Sequence, residues 1–545
     1  MSGSAGLAVS DRMKYGIKPS AVRSENYLHN IKATNGSNFN MQMGQDIIFE
    51  VPALGNGYYC DFSTSYFRFN VAVNLNAPVT ATQCQANALA NGYVRFERGP
   101  ESMFRRVQYQ DSSGNLLESF ENYNDIYCLT ELLTDNVSNR TNVSPFHGEG
   151  LTVAPLISSY ESSIWTAAAI SENPLQPASF TNNKYPPLRY PELGAAVIML
   201  DDAGGNAANN AGAKTGAYDL GQYYNASGTA TTLIAGGYAA SAGNRYYSFQ
   251  TLSALFGGSS DKYLPMSAIN GMRIIFSCED VKKAFVTNGL YSGAASATAP
   301  IISSVTLSDP TFFLNMVRVD PMVDAQLIQS ATDRDGNIRI HSQTYQCFQY
   351  ALASGQATWE QIIPIKVSSL KAIFFTFSPQ SNSGAETFAR EANAIALAAK
   401  NGTDRVMKTT WFQNNLNSYQ FFIDGKPTPA SPVYIRPGFS EQIAELQRAL
   451  HFGHKCGDGQ YLSLLGSSGV GGYQEQNFVL GQEFESFSNK GPVIESGMNT
   501  LNSLLSLRLF FNSGNSAEAC YLKIFCLYDA FLTITPATGI MRTEL

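Results

Sequence analysis

The feature that most constrains the fold of this chain is a local unit that occurs twice. Residues 418–450, SYQFFIDGKPTPASPVYIRPGFSEQIAELQRAL, read as strand, tight turn, strand and helix. Residues 105–133, RRVQYQDSSGNLLESFENYNDIYCLTELL, follow the same order with almost no shared residues. Two such units in one chain predict that a whole architecture is repeated.

Both units contain the residues that their turns require. Asp424-Gly425 predicts a tight hairpin, because glycine tolerates the positive φ of such turns, and residues 111–115, DSSGN, predict a looser one. In the second unit an apolar stripe with suitable terminal charges predicts a helix. The stripe is Phe439, Ile443, Leu446 and Leu450, with Glu441 near the start and Arg448 near the end.

The helix of the first unit has a shorter apolar stripe, made of Ile126, Leu129 and Leu133. Asn124 is the predicted N-cap, because its side chain can accept a hydrogen bond from the first turn. Asp125 is predicted to lie in that first turn, where a carboxylate complements the helix dipole.

Runs rich in aromatic and β-branched residues predict strands around both units. In the first half these runs are 45–54, 61–75, 272–279 and 310–323, and in the second half they are 338–352, 362–379, 504–511 and 520–536. In 61–75, Tyr66, Arg68, Asn70 and Ala72 alternate with Phe67, Phe69, Val71 and Val73, which predicts one apolar face.

The spacing between the two series is nearly constant at first. The matched pairs are Ile47 and Phe348 (301 apart), Tyr66 and Leu370 (304), Val107 and Tyr419 (312), Ile126 and Ile443 (317), and Ile274 and Leu507 (233). The smaller spacing of the last pair predicts a long insertion in the first half only. Residues 150–260, which are poor in charge and rich in Gly, Ala and Asn at 201–232, match it.

The sequence therefore predicts an all-β protein with two consecutive sandwiches of about eight antiparallel strands each. Each sandwich has a short helix laid against it, and the first contains a long loop insertion. The predicted division is an N-terminal arm at 1–44, a first sandwich at 45–323 with the insertion at about 150–260, and a second sandwich at 324–545. A length of 545 residues suits two domains.

The chain is poor in charged residues. Charged residues make up 14% of the chain, against roughly 25% in an average soluble domain. Either much of the surface is buried against neighbouring copies, where charge is costly to desolvate, or the protein is an extracellular β protein with a neutral polar coat. The net charge of −7 argues against a protein that mainly coats nucleic acid, although residues 1–44 form a mildly basic arm.

No secretory signal or membrane-spanning segment is predicted. The most apolar run, residues 519–534, is interrupted by Lys523 and Asp529. The eight cysteines are scattered, and without a signal peptide we expect reduced, buried thiols. This expectation weakens the extracellular alternative.

Chemistry-bearing motifs are scarce. His451, His454 and Cys456 cluster in HFGHKC, but their spacing matches no common zinc site, and a position just after a helix is ordinary for His and Lys. Residues 333–337, DRDGN, lack the later Glu of a calcium loop and predict a turn, and the Gly-rich 466–472 predicts a flexible loop. We nominate no catalytic, cofactor-binding or metal-binding residue and expect no cofactor and no enzymatic activity.

Two consecutive sandwiches, a helix after a hairpin in each, a large insertion in the first and a short N-terminal arm resemble the double jelly-roll major capsid proteins. This family forms the shells of adenoviruses, tectiviruses, virophages, polinton-like viruses and nucleocytoplasmic large DNA viruses. Residues 362–377, IIPIKVSSLKAIFFTF, and 520–534, CYLKIFCLYDAFLTI, are most similar to the virophage and polinton-like branch.

The resemblance implies a homotrimer whose six jelly rolls form a pseudo-hexagonal capsomer, or hexon, of an icosahedral capsid. Such capsomers contact one another laterally and adjoin penton and minor capsid proteins. Residues 150–260 would be an outer tower facing the host, and the arm would lie inside against a neighbour, membrane or genome. The protein would be located in the virion after assembly in the host cytoplasm or nucleus, and the two helices and the tower would be assembly surfaces.

Two other classes remain open. A secreted or cell-surface jelly-roll protein that binds glycans or hydrolyses glycosides would share the fold, because jelly rolls support many functions. The absent signal peptide and the lack of a nominated carboxylate pair count against it. A viral fibre or spike is a nearer rival, but it would show elongated repeats, and the sequence has none.

Overall fold

The structure is a computed structural model. It describes residues 23–75, 92–96, 100–134, 198–200, 245–258, 262–287, 302–379, 389–390, 411, 413–435, 440–450, 478–485, 497–512 and 519–544. Every structural statement below concerns these residues.

Strands dominate both halves. The first half contains β1 Ser24–Lys32, β2 Asn38–Asn40, β3 Asp46–Val51, β4 Tyr58–Leu75, β5 Gly92–Phe96, β6 Phe104–Asp111, β7 Leu116–Glu121, β8 Ile198–Leu200, β9 Arg245–Phe249, β10 Leu264–Pro265, β11 Met272–Cys278, β12 Phe285–Thr287 and β13 Ile302–Val319. The second half contains β14 Ile338–Leu352, β15 Thr358–Ile363, β16 Leu370–Pro379, β17 Ala389–Arg390, β18 Leu416–Ile423, β19 Lys426–Tyr434, β20 Leu480–Glu483, β21 Leu505–Phe511, β22 Cys520–Thr535 and β23 Ile540–Glu544.

Three helices accompany the strands in the part of the chain that the structure describes. They are α1 Tyr123–Thr134, α2 Pro321–Ala331 and α3 Ser440–Ala449, and shorter helical turns lie at Pro100–Met103, Met266–Ala268 and Val281–Ala284. The Asp320 side chain accepts a hydrogen bond from the Met322 backbone and Pro321 is the first helical residue, so the chain turns from β13 into α2. The strand predicted at 310–323 therefore ends at Val319, and the predicted boundary at 323/324 falls inside α2.

Each half builds two antiparallel sheets with the same strand order. In the first half the orders are β1-β13-β4-β10, where β2 also pairs with β13 and β9 with β4, and β3-β11-β6-β7. In the second half they are β14-β22-β16-β20, where β23 also pairs with β22, and β15-β21-β18-β19. The predicted repetition of one sandwich architecture is confirmed, and a small sheet, β17-β12-β5-β8, joins strands from both halves.

The alternation predicted for β4 is also confirmed. Phe67, Phe69 and Val71 are buried, and Phe67 lies 4.7 Å from Phe276 of the facing sheet, ring centroid to ring centroid. In the second sandwich Phe375 of β16 packs edge-on against Tyr419 of β18 at 5.0 Å. Aromatic side chains from both sheets thus fill each core, as expected for sheets about 10 Å apart.

Four of the five matched pairs occupy equivalent strands or helices, and one match is wrong. Ile47 lies on β3, whose position in the sheet corresponds to β15, whereas Phe348 lies on β14, which corresponds to β1 and β2. The reason is that residues 24–32 and 38–40 are strands of the sheet rather than part of an arm. The predicted arm at 1–44 therefore wrongly includes these two strands, and residues 1–22 lie outside the described residues.

The repeated unit is observed with small corrections. Asp424 and Gly425 have the positive φ values of 49° and 79° that a tight hairpin turn needs. Asn124 is inside α1 rather than at its N-cap, because the helix begins at Tyr123 after Asn122, whose φ is 55°. In α3 the buried face contains Gln442, Leu446 and Ala449, and Phe439 lies outside the described residues.

Most of the insertion predicted at 150–260 also lies outside the described residues. The exceptions are β8 and residues 245–258, which contain β9. Because β9 pairs with β4 from Arg245 to Phe249, the end of the predicted insertion belongs to the first sheet.

Candidate functional site

Helix α1 lies between the two sandwiches. Asp125 accepts a hydrogen bond from Lys523 of β22 at 2.8 Å, and both side chains are buried. Thr130, one and a half turns later, hydrogen-bonds Tyr345 of β14, whose pKa is raised to about 12 by desolvation. Separating a buried ion pair leaves a charge unpaired and is costly, so this contact favours the observed arrangement of the two sandwiches.

Strand β7 extends the same contact. Leu117 accepts a hydrogen bond at its backbone oxygen from the Thr543 hydroxyl of β23. Glu118 is buried beside Thr344 of β14, and the Ser253 hydroxyl donates to its carboxylate. Burial raises the pKa of Glu118 to about 7, and the two hydroxyl contacts oppose this shift. The first repeated unit, β7 with α1, is therefore seated on the β14–β22 side of the second sandwich.

The second repeated unit presents equivalent elements to solvent. Strand β19, which corresponds to β7, is exposed or half-buried along most of its length. Helix α3 packs on β20 through one face and exposes Glu441, Ala444 and Arg448 on the other. The prediction that both helices are assembly surfaces therefore needs correction for α1, because α1 is buried against the second sandwich of its own chain.

The β14–β22 side of the second sandwich, which β7 and α1 cover, has an exposed counterpart on the first sandwich. Strand β1, equivalent to part of β14, is exposed from Ser24 to Leu28, and Leu28 is 48% exposed. On the sheet face directed away from the core, the rings of Tyr66 and Phe313 stack at 4.9 Å. The Arg68 guanidinium lies over Phe313 at 4.7 Å and over Tyr246 at 4.8 Å, and Tyr246 is 56% exposed.

A second buried charge cluster lies in the second sandwich. The Lys371 amine is 2.5 Å from Glu485 Oε1 and 3.2 Å from Asp529 Oδ2. Asp529 also accepts a hydrogen bond from the Ser369 hydroxyl at 2.6 Å, and its Oδ1 is 3.0 Å from His341 Nε2. Buried carboxylates are costly unless paired, and here each has a cation within reach.

The motifs considered for metal binding gain no support. His451, His454 and Cys456 lie outside the described residues. Asp333 accepts hydrogen bonds from the backbones of Asp335 and Asn337, so DRDGN forms the predicted turn. In the described part of the chain, no three His, Cys, Asp or Glu side chains converge in a metal-binding group. Six cysteines lie in that part, and all six are buried.

The helices of the described segments include none with the length and hydropathy of a membrane span. Lys523 and Asp529, which interrupt an apolar run, both reach buried partners. Sequence reasoning used them only as evidence against a membrane segment. Their positions within an apolar strand could have indicated these buried contacts, because a charge buried in a core needs a partner.

Comparison with solved structures identifies the architecture. A chain in the cryo-EM structure of the Sputnik virophage is similar over 100% of this chain and 95% of its own length, with a TM-score of 0.54 and 11% identity. A chain in the quasi-atomic model of the PBCV-1 virus capsid is similar over 98% of this chain and 99% of its own, with a TM-score of 0.50 and 10% identity.

No protein-family model matches the chain, and no curated protein matches it by sequence. At identities near 10%, the similarity to solved structures establishes the fold. Together with the strand order, it identifies the architecture as a double jelly roll.

Proposed function

We propose that this chain is a major capsid protein that assembles as a homotrimer and tiles the faces of an icosahedral virus shell. The double jelly roll, shared with chains of the Sputnik virophage and of the PBCV-1 capsid, supports this function. Fold alone does not decide function, so the proposal depends on a further feature of the surface.

The proposal rests on two exposed surfaces of one chain whose structural equivalents contact each other within that chain. The β7–α1 unit is seated on β14 and β22, which belong to the other sandwich. The equivalent β19–α3 unit and the equivalent strand β1 remain at the surface. One copy thus exposes the β19–α3 unit, and it also exposes the surface around β1 that such a unit of another copy can cover.

A contact between two different surfaces of identical chains is heterologous, and it closes into a ring when its rotation allows. In the proposed trimer, β19–α3 of one subunit covers β1 and the outward face of β13 and β4 in the next. Three chains with two sandwiches each then approximate six-fold symmetry. The low charge content fits lateral burial of this kind.

The capsomer would also have outer and inner contacts. Residues within 150–260 would form a tower facing the host, and the N-terminal segment would face a minor capsid protein, membrane or genome. Penton and minor capsid proteins would complete the shell, and the protein would act in the virion, after assembly in the host cell, without catalysis. No observation favours the glycan-binding or glycoside-hydrolase alternative.

Light scattering on the purified chain tests the proposal. We expect a particle of three times 59.2 kDa, or larger shells. A monomer at all accessible concentrations contradicts the proposal. A monomer that binds a glycan array would instead support the alternative.

Matched variants test which surfaces meet. Leu28→Glu on β1 and Ala444→Glu on α3 each place an uncompensated charge in the proposed contact and should weaken trimers at least tenfold, since burying an unpaired charge costs several kcal/mol. Leu327→Glu on α2, also an exposed apolar position, is the control and should leave the trimer intact. If all three variants remain trimeric, trimers form through other surfaces and this assignment is wrong.

A further inference from the structure

The Lys371 cluster has the geometry of a site for covalent bond formation. Lys371 lies on β16, Asp529 lies on the neighbouring β22, and Glu485 follows β20 on the other side of β16. The three side chains are 2%, 1% and 0% exposed, respectively. One primary amine is therefore held between two carboxyl groups in a site closed to bulk water.

The carboxyl group of Asp529 is fixed at both oxygens. The Ser369 hydroxyl donates to Oδ2 at 2.6 Å, and His341 Nε2 lies 3.0 Å from Oδ1. The Lys371 amine approaches the same carboxyl group at 3.2 Å, measured to Oδ2. An amine and a carboxyl group that neighbours hold this close have already lost the motional freedom that makes the same reaction slow in solution.

We propose that Lys371 and Asp529 form an intramolecular amide bond, with Glu485 as the proton carrier. Glu485, whose Oε1 is 2.5 Å from the amine, takes a proton from the Lys371 ammonium group. The neutral nitrogen then attacks Cγ of Asp529, and the Ser369 hydroxyl stabilises the negative charge that develops on Oδ2.

The reaction needs no other reagent. Two of the three ammonium protons pass through Glu485 to Oδ1, the bond from Cγ to Oδ1 breaks, and Oδ1 leaves as water. Glu485 returns to its carboxylate form, and the product is one amide and one water molecule. A lysine amine held out of water is a known form of enzymatic nucleophile.

The energetics of the site favour the product. The amide replaces a buried ammonium and a buried carboxylate by one neutral group, and removal of a buried ion pair in favour of neutral groups is often stabilising. The closed site also keeps water from hydrolysing the bond. The link would join β16 and β22, the two central strands of their sheet, whether or not the chain forms a capsid.

Mass spectrometry of the full-length protein tests the proposal. We expect an intact mass lower than the sequence mass by one water molecule. After trypsin digestion, the peptide containing Lys371 should be joined to the peptide containing Asp529. The Lys523–Asp125 pair is an internal control, since it is equally buried at 2.8 Å and is expected to give separate peptides.

Two variants separate the roles. Lys371→Arg keeps the charge but has no amine that can form the amide, and Glu485→Gln keeps the shape but cannot accept the proton, so both should show their full sequence masses. Wild-type protein with its full sequence mass and separate peptides would overturn the proposal, whatever the variants do. A linked Glu485→Gln variant would overturn the role of Glu485.

Discussion

Replacement of Glu118 by Gln should change how the stability of this protein depends on pH. Glu118 is buried where β7 meets the second sandwich, with the hydroxyl groups of Ser253 and Thr344 as neighbours. Burial raises its pKa from 4.5 to about 7. The folded protein therefore binds this proton more tightly than the unfolded chain does.

The sign and size of the effect follow from linkage. The stability that the protonated carboxyl group contributes is complete below pH 4.5 and is lost as pH rises to about 7, above which the loss is constant. The pKa of Glu118 differs between 4.5 in the unfolded chain and about 7 in the folded protein. At ~1.4 kcal/mol for each pKa unit, this difference corresponds to ~3 kcal/mol of folding stability. Glu118→Gln mimics the protonated form, so it should unfold at higher urea concentration than wild type at pH 8 and at a similar concentration at pH 4.5.

Urea unfolding followed by circular dichroism between pH 4.5 and 8 measures this difference. Glu121→Gln is the control, because Glu121 lies on the same strand with a half-exposed side chain near Arg106. The reasoning is refuted if the midpoints of wild type and Glu118→Gln run parallel across this pH range.

Two further predictions concern stability. Lys523→Met leaves Asp125 buried without its ammonium partner and should lower the free energy of unfolding by about 3–5 kcal/mol, whereas Lys523→Met with Asp125→Leu should recover much of the loss; an additive double variant in urea titrations would contradict the buried pair. Gly425→Ala should cost ~1 kcal/mol because φ is 79° with open space around the position, while Gly55→Ala, at an ordinary φ with equally open space, should be neutral in thermal melts; equal melting temperatures would exclude a conformational cause.

The local elements could be predicted because their signals lie within a few residues. The alternation in β4 separates Phe67 and Phe69 from Tyr66 and Arg68, and a single Asp-Gly pair at 424–425 indicates the hairpin. The repeated strand–turn–strand–helix order then made the double sandwich predictable. The bounds of the arm and of the insertion were predicted less accurately. Strands β1 and β9 are polar, short or irregular in sequence, and their order comes from pairing with β13 and β4.

The candidate site was less accessible to sequence reasoning. Asp125 and Lys523 are 398 residues apart, and their pairing depends on how one sandwich sits on the other. The Lys371 cluster joins side chains of separate strands that meet only because β16 lies between β22 and β20. Neither set has a characteristic spacing in the sequence.

The sequence by itself determined the all-β character, the duplication and the two helices, because strand alternation, turn chemistry and helix periodicity are properties of neighbouring residues. The tertiary structure alone decided which copy of the repeated unit is buried. The β7–α1 unit meets its seat within the chain, while β19–α3 and β1 stay exposed. Two units of similar local physics thus differ in role, since burial depends on what the rest of the chain places against them.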